Sequence, residues 1–338
     1  MNGILSSIAW GYIRIGWRNV VIIGRQRVNM SDEISKGNRA IGRRRYPGWR
    51  PIRPLRGIAL SRVLRTSILF DSSEYRNAPA AEMHIVIGFD GVPPAAFRAT
   101  ARRAIEQYGK TTFVQHKVSK VERTPTGFIV NGQWTSRKLI IATGSTDILP
   151  EVPGLRALWG KSIFHCAFCH GAEVANKHGA LWGAPMLNNA PFFSITPNLL
   201  LLLNGQSVPD SLQAFYNNFT ASRNPVIAPT VSRVEERPGT PGVIIHFEDG
   251  RSPVEFDFIV MHPASKQAAP FAEQLGLELD EKNDIVVNGP FGATSVPGVF
   301  ASGDAATMMK TVPHAMHTGT TNAAGVVFQL VNEDLGRA

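Results

Sequence analysis

Ser295-Val296-Pro297-Gly298-Val299-Phe300-Ala301-Ser302-Gly303-Asp304 is the stretch on which the fold turns. An apolar run stops abruptly in small residues and an acid, as a strand does where a ligand must approach the backbone. Arg137-Lys138-Leu139-Ile140-Ile141-Ala142-Thr143-Gly144-Ser145 repeats the pattern and reads as a second buried strand with a small-residue turn. Small residues at a strand end admit a phosphate or a flat ring to the main chain, and a helix N-terminus offers free N–H groups to an anion. Asp304 can accept hydrogen bonds from polyol hydroxyls. Residues 318–325, rich in small side chains, open an apolar helix.

Between these strands lie the only two cysteines of the 338 residues, in Ser162-Ile163-Phe164-His165-Cys166-Ala167-Phe168-Cys169-His170-Gly171. A C-x-x-C pair closes a tight ring in which one thiol is a nucleophile and the other resolves the mixed disulfide. A structural zinc site needs four ligands, and His165 and His170 are too close in sequence to complete a tetrahedron, so no metal is expected. A purely structural disulfide would staple a four-residue loop for little gain. The flanking histidines could stabilise a thiolate or move a proton.

Composition is globular, at 43% hydrophobic and 18% charged residues. No uninterrupted apolar run of about 18 residues is present to cross a membrane. The net charge of +9 is unevenly placed: residues 1–66 hold 14 of the 35 Lys and Arg but only 2 of the 26 acids, Asp32 and Glu33. Residues 67–338 therefore carry 21 basic and 24 acidic side chains, a net of −3. The excess is no argument for a nucleic-acid or membrane partner, because the body of the chain is slightly acidic. Residues 1–31, acid-free with spaced arginines, imitate a mitochondrial presequence, and residues 39–56 imitate a nucleic-acid patch. A secretory signal fits less well, since Arg14 and Arg18 interrupt any apolar core.

Together these segments resemble the thioredoxin-reductase-like flavoproteins built from two dinucleotide-binding domains. ATG at 142–144 matches the crossover between domains, the C-x-x-C the redox-active disulfide, and GVFASGDA at 298–305 the flavin-ribityl motif. CAFCHG is closer to one branch, the fungal gliotoxin-type dithiol oxidases. So are FDSSEYRNAPAAEMH at 70–84, HFEDG at 246–250 and the run from PFAEQLGLEL to SVPGVFASGD at 270–304. The likeness covers residues 67–171 and 225–335.

The resemblance implies an α/β fold of two Rossmann-type domains. A discontinuous FAD domain would use residues 67–150 and 265–338, with a parallel-sheet core, and an NADPH-type domain at 151–264 would be inserted into it and carry the C-x-x-C. It implies FAD as cofactor, held by Gly24, Asp71, Arg76, Asn77, His84, Ala142, Thr143, Gly144, Gly303 and Asp304. Asp71, ending an apolar strand at 66–71, would meet the adenosine ribose. Cys166 would exchange with substrate and Cys169 would pass electrons to the flavin. His314 and His317, in the loop before the last helix, would transfer protons. The partner implied is a small dithiol, and the protein would be a cytoplasmic homodimer. Locally, residues 93–108 read as a helix and residues 127–135 as a hairpin.

Two departures stand against that pattern. The glycine-rich phosphate fingerprint should follow the first strand, about 20 residues ahead of Asp71. Asn19-Val20-Val21-Ile22-Ile23-Gly24 supplies the strand and one glycine, but a basic stretch to Arg56 replaces the rest. Residues 1–66 thus form an aberrant N-terminal segment. Read one base later, residues 49–58 permit G-G-P-S-G-L-S-A-A-L, only the first glycine being forced by the code. The hypothesis that follows is a retained intron, a frame error or a decayed gene across 25–58, and resequencing the transcript tests it. The second departure is in the inserted domain, where Gly179-Ala180-Leu181-Trp182-Gly183 leads into Ala184-Pro185-Met186-Leu187-Asn188-Asn189. Pro191 and Pro197 interrupt what should be a helix, and no phosphate-binding turn survives. Three readings stay open: an oxygen-using FAD-dependent dithiol oxidase, an NADPH-dependent disulfide reductase, and a non-catalytic remnant unable to hold FAD.

Overall fold

The computed structural model describes residues 17–23, 55–193, 199–222 and 224–337. Its first sheet has five strands, in the spatial order Val299–Ala301, Lys138–Ala142, Trp17–Ile23, Ser67–Tyr75 and Thr111–Val114. Helices cover one face, where Leu60, Leu69, Ile140, Phe300, Val326 and Leu330 pack together. On the other face Phe70, Leu139, Ile141 and Val299 meet Phe128 and Phe271. Burial on both faces explains why these strands are continuous apolar runs rather than alternating ones.

The sequence predicts a parallel core, and the structure corrects this at its central strand. Lys138–Ala142 runs parallel to Val299–Ala301, and Ser67–Tyr75 parallel to Thr111–Val114. Trp17–Ile23 runs antiparallel to both its neighbours, with Val20 opposite Phe70 and Ile141. The run Val-Val-Ile-Ile carries no directional information, because its apolar pattern reads the same in either direction. A short glycine loop and crossover helix would dictate a parallel course, and this chain has a long basic segment there instead. Ile23 consequently lies opposite Ser67 and Lys138, at the amino ends of the neighbouring strands. Gly24 lies outside the described residues, as does almost all of the segment read as a frame error.

A three-stranded meander of Val121–Thr124, Gly127–Val130 and Trp134–Ser136 closes over the lower face. It contains the predicted hairpin. Gly127 has φ +147°, and a Cβ there would lie 2.0 Å from the Ser136 carbonyl oxygen, so only glycine fits. The predicted helix is Pro94–Glu106, burying Phe97, Ala101 and Ile105 at four-residue spacing.

The ribbon Ser145–Ile148 with Ala264–Gln267 leads out of this unit and back. Beyond it stands a second, wholly parallel sheet in the order Val226–Ile227, Leu200–Leu202, Gly179–Trp182, Phe258–Met261 and Ile163–Phe164. An antiparallel meander, Val231–Glu236, Val243–Phe247 and Val254–Phe256, covers one side. After Gly179–Trp182 the chain forms the 3₁₀ segment Ala184–Phe193 with Pro191 inside it, and Met186, Leu187 and Phe193 are buried at its core face. Among the described residues no helix is long and apolar enough to cross a membrane.

Candidate active site

The two cysteines open a one-turn helix, Ala167–His170, directly after the strand Ile163–Phe164. Cys166 is its N-cap. Its Sγ accepts a hydrogen bond from the Cys169 backbone N–H at 3.1 Å, as an N-cap side chain does for an otherwise unpaired donor. Cys166 is only 1% exposed, packed among Met83, Val86, Phe89, Phe97 and Val312. Those five residues belong to the first unit, so the dithiol segment is docked against it. Both cysteines are free thiols.

Cys169 is partly exposed and lines an open cleft of about 610 Å³, solvent at its mouth included. The hydrogen bond with Cys166, then burial, then the charges of Cys166 and Glu173 push the Cys169 thiol well above its ordinary value, with Arg76 opposing. The resemblance implies that Cys166 meets substrate; here the cap buries Cys166 and Cys169 lines the cleft.

Arg76, Asn77 and His84, assigned to the cofactor by resemblance, share this cleft with Cys169. Arg76 is almost wholly buried, ion-paired with Asp147 and 3.4 Å from Asp304 Oδ2, so one guanidinium ties the cleft to the Gly303–Ala305 turn. Lys310 fixes the same turn from below. Its Nζ donates to the Asp304 carbonyl at 2.9 Å and to the buried Asp284 carboxylate at 2.5 Å. Asn77 Oδ1 accepts from Arg98, whose guanidinium lies 3.7 Å above the Tyr75 ring. Asp147, Lys310 and Asp284 carry no motif, and sequence reasoning missed them.

His84 stands between two carboxylates, with Nδ1 3.5 Å from Asp90 and Nε2 3.4 Å from Glu173. Glu173 lies four residues beyond Cys169, and that spacing was the one available signal for it. His170 packs edge-on to Phe164, and burial lowers it below the ordinary histidine value. His165 stacks on Trp159 with ring centroids 5.6 Å apart.

The remaining predicted residues gather at the carboxyl ends of the first sheet. Asp71 lies within the strand Ser67–Tyr75 and does not end it, correcting the reading of 66–71, and it accepts from Tyr75 Oη at 2.8 Å and Ser73 N–H at 3.0 Å. Burial, then that hydrogen bond, raises Tyr75 above the usual phenol value. Ala142 ends its strand and Gly144 turns away with φ +72°. Thr143 Oγ1 is buried without a hydrogen-bond partner and borders a second pocket, with Phe70, Ser72, His116 and Val118. Gly303 has φ +62°, its N–H donating to Thr318. His314 and His317 lie in the first turns of the helix Val312–Asp334 and not in a loop before it, because Thr311 caps the helix through the His314 N–H. Neither lines the Cys169 cleft, although Val312 and Met316 of the same turns pack with Cys166. No group of three or more His, Cys, Asp or Glu among the described residues could hold a metal.

The profile described as pyridine nucleotide-disulphide oxidoreductase matches residues 209–319. Over 82% of its length the chain is 33% identical to the thioredoxin reductase sirT of Leptosphaeria maculans, covering 91% of that protein. It is 34% identical to the thioredoxin reductase tcpT of Claviceps purpurea, with 78% of this chain and 86% of that one covered. The chain belongs to the thioredoxin reductase family. Among solved structures it is similar to an oxidoreductase from Agrobacterium tumefaciens, with TM-score 0.74, 28% identity, and 81% and 93% of the two chains covered. HlmI matches equally well, with TM-score 0.74, 28% identity, and 83% and 89% covered. The protein is an oxidoreductase of a flavoprotein family whose cofactor is FAD.

The described residues fit such a group at two places. An unpartnered buried hydroxyl at Thr143 borders one pocket, and the Gly303–Asp304 turn connects through Arg76 to the dithiol cleft. Residues 24–54, where the phosphates would be met, are outside the described part.

Proposed function

We propose that this chain is an FAD-dependent oxidase of a small dithiol, with oxygen as final acceptor, in a fungal secondary-metabolite pathway, working in the cytoplasm as a homodimer. The observation that carries this is Cys169 on the wall of an open cleft shared with Arg76, Asn77 and His84.

In the exchange, a substrate thiolate forms a bond to Cys169 Sγ as the Cys166–Cys169 disulfide breaks. Cys166 leaves as a thiolate whose sulfur already accepts the Cys169 N–H. The second substrate thiolate then displaces Cys169 and closes the substrate's own disulfide. Two electrons pass to the protein, and two substrate protons end on the two cysteines. FAD, when bound, takes up two electrons from the dithiol and gives them to oxygen as hydrogen peroxide.

Arg76 holds Asp147 and Asp304 in place, Cys166 is kept from solvent by its apolar cluster, and Trp159 and His165 stack in the lining of the cleft. Oxygen is favoured over nicotinamide by the second sheet. After Gly183, whose N–H is taken by the Leu202 carbonyl, the chain buries Ala184, Met186 and Leu187 where a dinucleotide would need open N–H groups. The second reading is an NADPH-dependent disulfide reductase, favoured by the names of the relatives.

Oxygen uptake decides between them. Purified protein given FAD and a small dithiol is expected to consume oxygen and release one peroxide per disulfide formed. Turnover that requires NADPH and a disulfide acceptor would overturn the oxidase reading.

A further inference from the structure

The turn Gly303–Ala305 is braced by side chains that the sequence motifs do not mark. Lys310 Nζ donates to the Asp304 carbonyl at 2.9 Å and pairs with the Asp284 carboxylate, both side chains being only 5% exposed. Gln267 Nε2 donates to the Ala305 carbonyl at 2.9 Å, and the Ile285 N–H donates to the same oxygen at 2.8 Å. Gln267 Nε2 also reaches the Asn283 carbonyl at 2.6 Å, so the segment 283–285 and the turn are fastened as one piece.

The placing of Lys310 works against its immediate surroundings. Its neighbours Met308 and Met309 are 43% and 42% exposed while the lysine is buried, the reverse of the usual preference. Lys310 also directly precedes Thr311, the N-cap of the helix Val312–Asp334, where a cation opposes the positive end of the helix dipole. A pair buried this deeply adds little stability over apolar side chains of similar size, because desolvation offsets the attraction. What it supplies is direction. It fixes one carbonyl of the tight turn whose carboxylate meets Arg76.

We propose that Lys310, paired with Asp284, and Gln267 beside it are positioning residues for FAD, setting the Gly303–Ala305 turn to receive the ribityl half of the cofactor. Asp304 is the group the resemblance gives to the cofactor, and the three bracing residues act through it and its neighbour Ala305. Asp71, given by the resemblance to the adenosine ribose, lies in the strand Ser67–Tyr75 with Ser73 and Tyr75 as partners, and shares none with the brace. The two halves of the cofactor can therefore be perturbed separately. The inference concerns flavin binding alone and is independent of whether oxygen or nicotinamide is the redox partner.

The test is ligand binding to full-length protein stripped of flavin, with FAD followed by quenching of its fluorescence and ADP by calorimetry. The variant is Lys310→Met combined with Asp284→Leu, because Lys310→Met alone leaves a buried carboxylate without its cation. The dissociation constant for FAD is expected to rise at least about tenfold, as for one charge-assisted hydrogen bond lost. That for ADP should stay within about twofold of wild type, since the adenosine half does not use the brace. Gln267→Leu, which removes a neutral hydrogen bond, should raise the FAD constant roughly threefold. A double variant that keeps its circular dichroism and binds FAD like wild type would overturn the proposal. So would equal weakening of FAD and ADP, which marks a general role in the fold. If the double variant does not fold, Gln267→Leu carries the test, and an FAD constant equal to wild type overturns the brace. Wild-type protein that binds ADP and not FAD overturns it too, an outcome separate from the choice between oxygen and NADPH.

Discussion

At the scale of the residue, the two cysteines are not equivalent, and the reason is a helix cap. Cys166 is drawn inward because its sulfur satisfies the Cys169 N–H, and the spacing of two residues then turns Cys169 outward. The asymmetry predicts a labelling pattern. Cys166→Ser protein treated with oxidised glutathione should accumulate a mixed disulfide on Cys169, seen as a mass increase on the intact chain. Cys169→Ser protein should gain at least tenfold less in the same time, because its thiol is 1% exposed. The reverse pattern would return Cys166 to the role the resemblance gave it. The pair itself was legible in the sequence, since two cysteines three positions apart, and no others, point to redox chemistry. The His84–Glu173 contact was not. It joins positions 89 apart in the chain, and only packing of the dithiol segment on the first unit creates it.

At the scale of the element, local patterns were read well and strand direction was not. Four-residue spacing gave the helix Pro94–Glu106, and the turn residues Asn131 and Gly132 fit the hairpin Gly127–Val130 with Trp134–Ser136. Direction at Trp17–Ile23 depends on a connection and not on the strand, so its sequence could not report it. The far end of the helix Val312–Asp334 shows how elements are fastened. Arg137 pairs with Glu333 and Asp334 at 2.6 Å each, Lys138 also pairs with Glu333, and Arg65 with Asp334 at 3.3 Å.

Burial alone would raise Glu333, but hydrogen bonds from Lys138 and Arg137 outweigh it and hold the carboxyl below its ordinary 4.5. The Arg137 hydrogen bond leads in holding Asp334 below 3.8. A carboxylate depressed in the folded state stabilises above its unfolded value, and that contribution is lost as pH falls through the folded one. Amide protection in the last two turns should therefore drop as pH is lowered from about 5 to about 3. In Glu333→Gln it should already be lower at neutral pH, by roughly two- to fivefold, as for a part-exposed pair. Hydrogen exchange normalised for intrinsic rates reads this. Equal protection in the two proteins at neutral pH would remove the clamp from the account.

At the scale of the whole molecule, the charge that stands out in the sequence lies apart from the chemistry. The dithiol, the cleft and both sheets are built largely from residues 67–338, whose net charge is −3, while residues 1–66 carry +12. The resemblance made the two-unit plan legible, because ATG at 142–144 and GVFASGDA at 298–305 mark parallel strands of one sheet with the second sheet between them in sequence. What the sequence could not reveal is how the units meet, since Cys166 is enclosed by side chains from 83–97 and 312–316 that no local pattern links. On the proposed oxidase reading, docking of the dithiol on the first unit would bring it to the flavin. The most direct measurement is rapid anaerobic mixing of the FAD-loaded protein with a small dithiol or with NADPH, watching the visible flavin band. The account predicts that the dithiol bleaches it, that NADPH leaves it unchanged, and that oxygen restores it with release of peroxide. Bleaching by NADPH and indifference to the dithiol would contradict it.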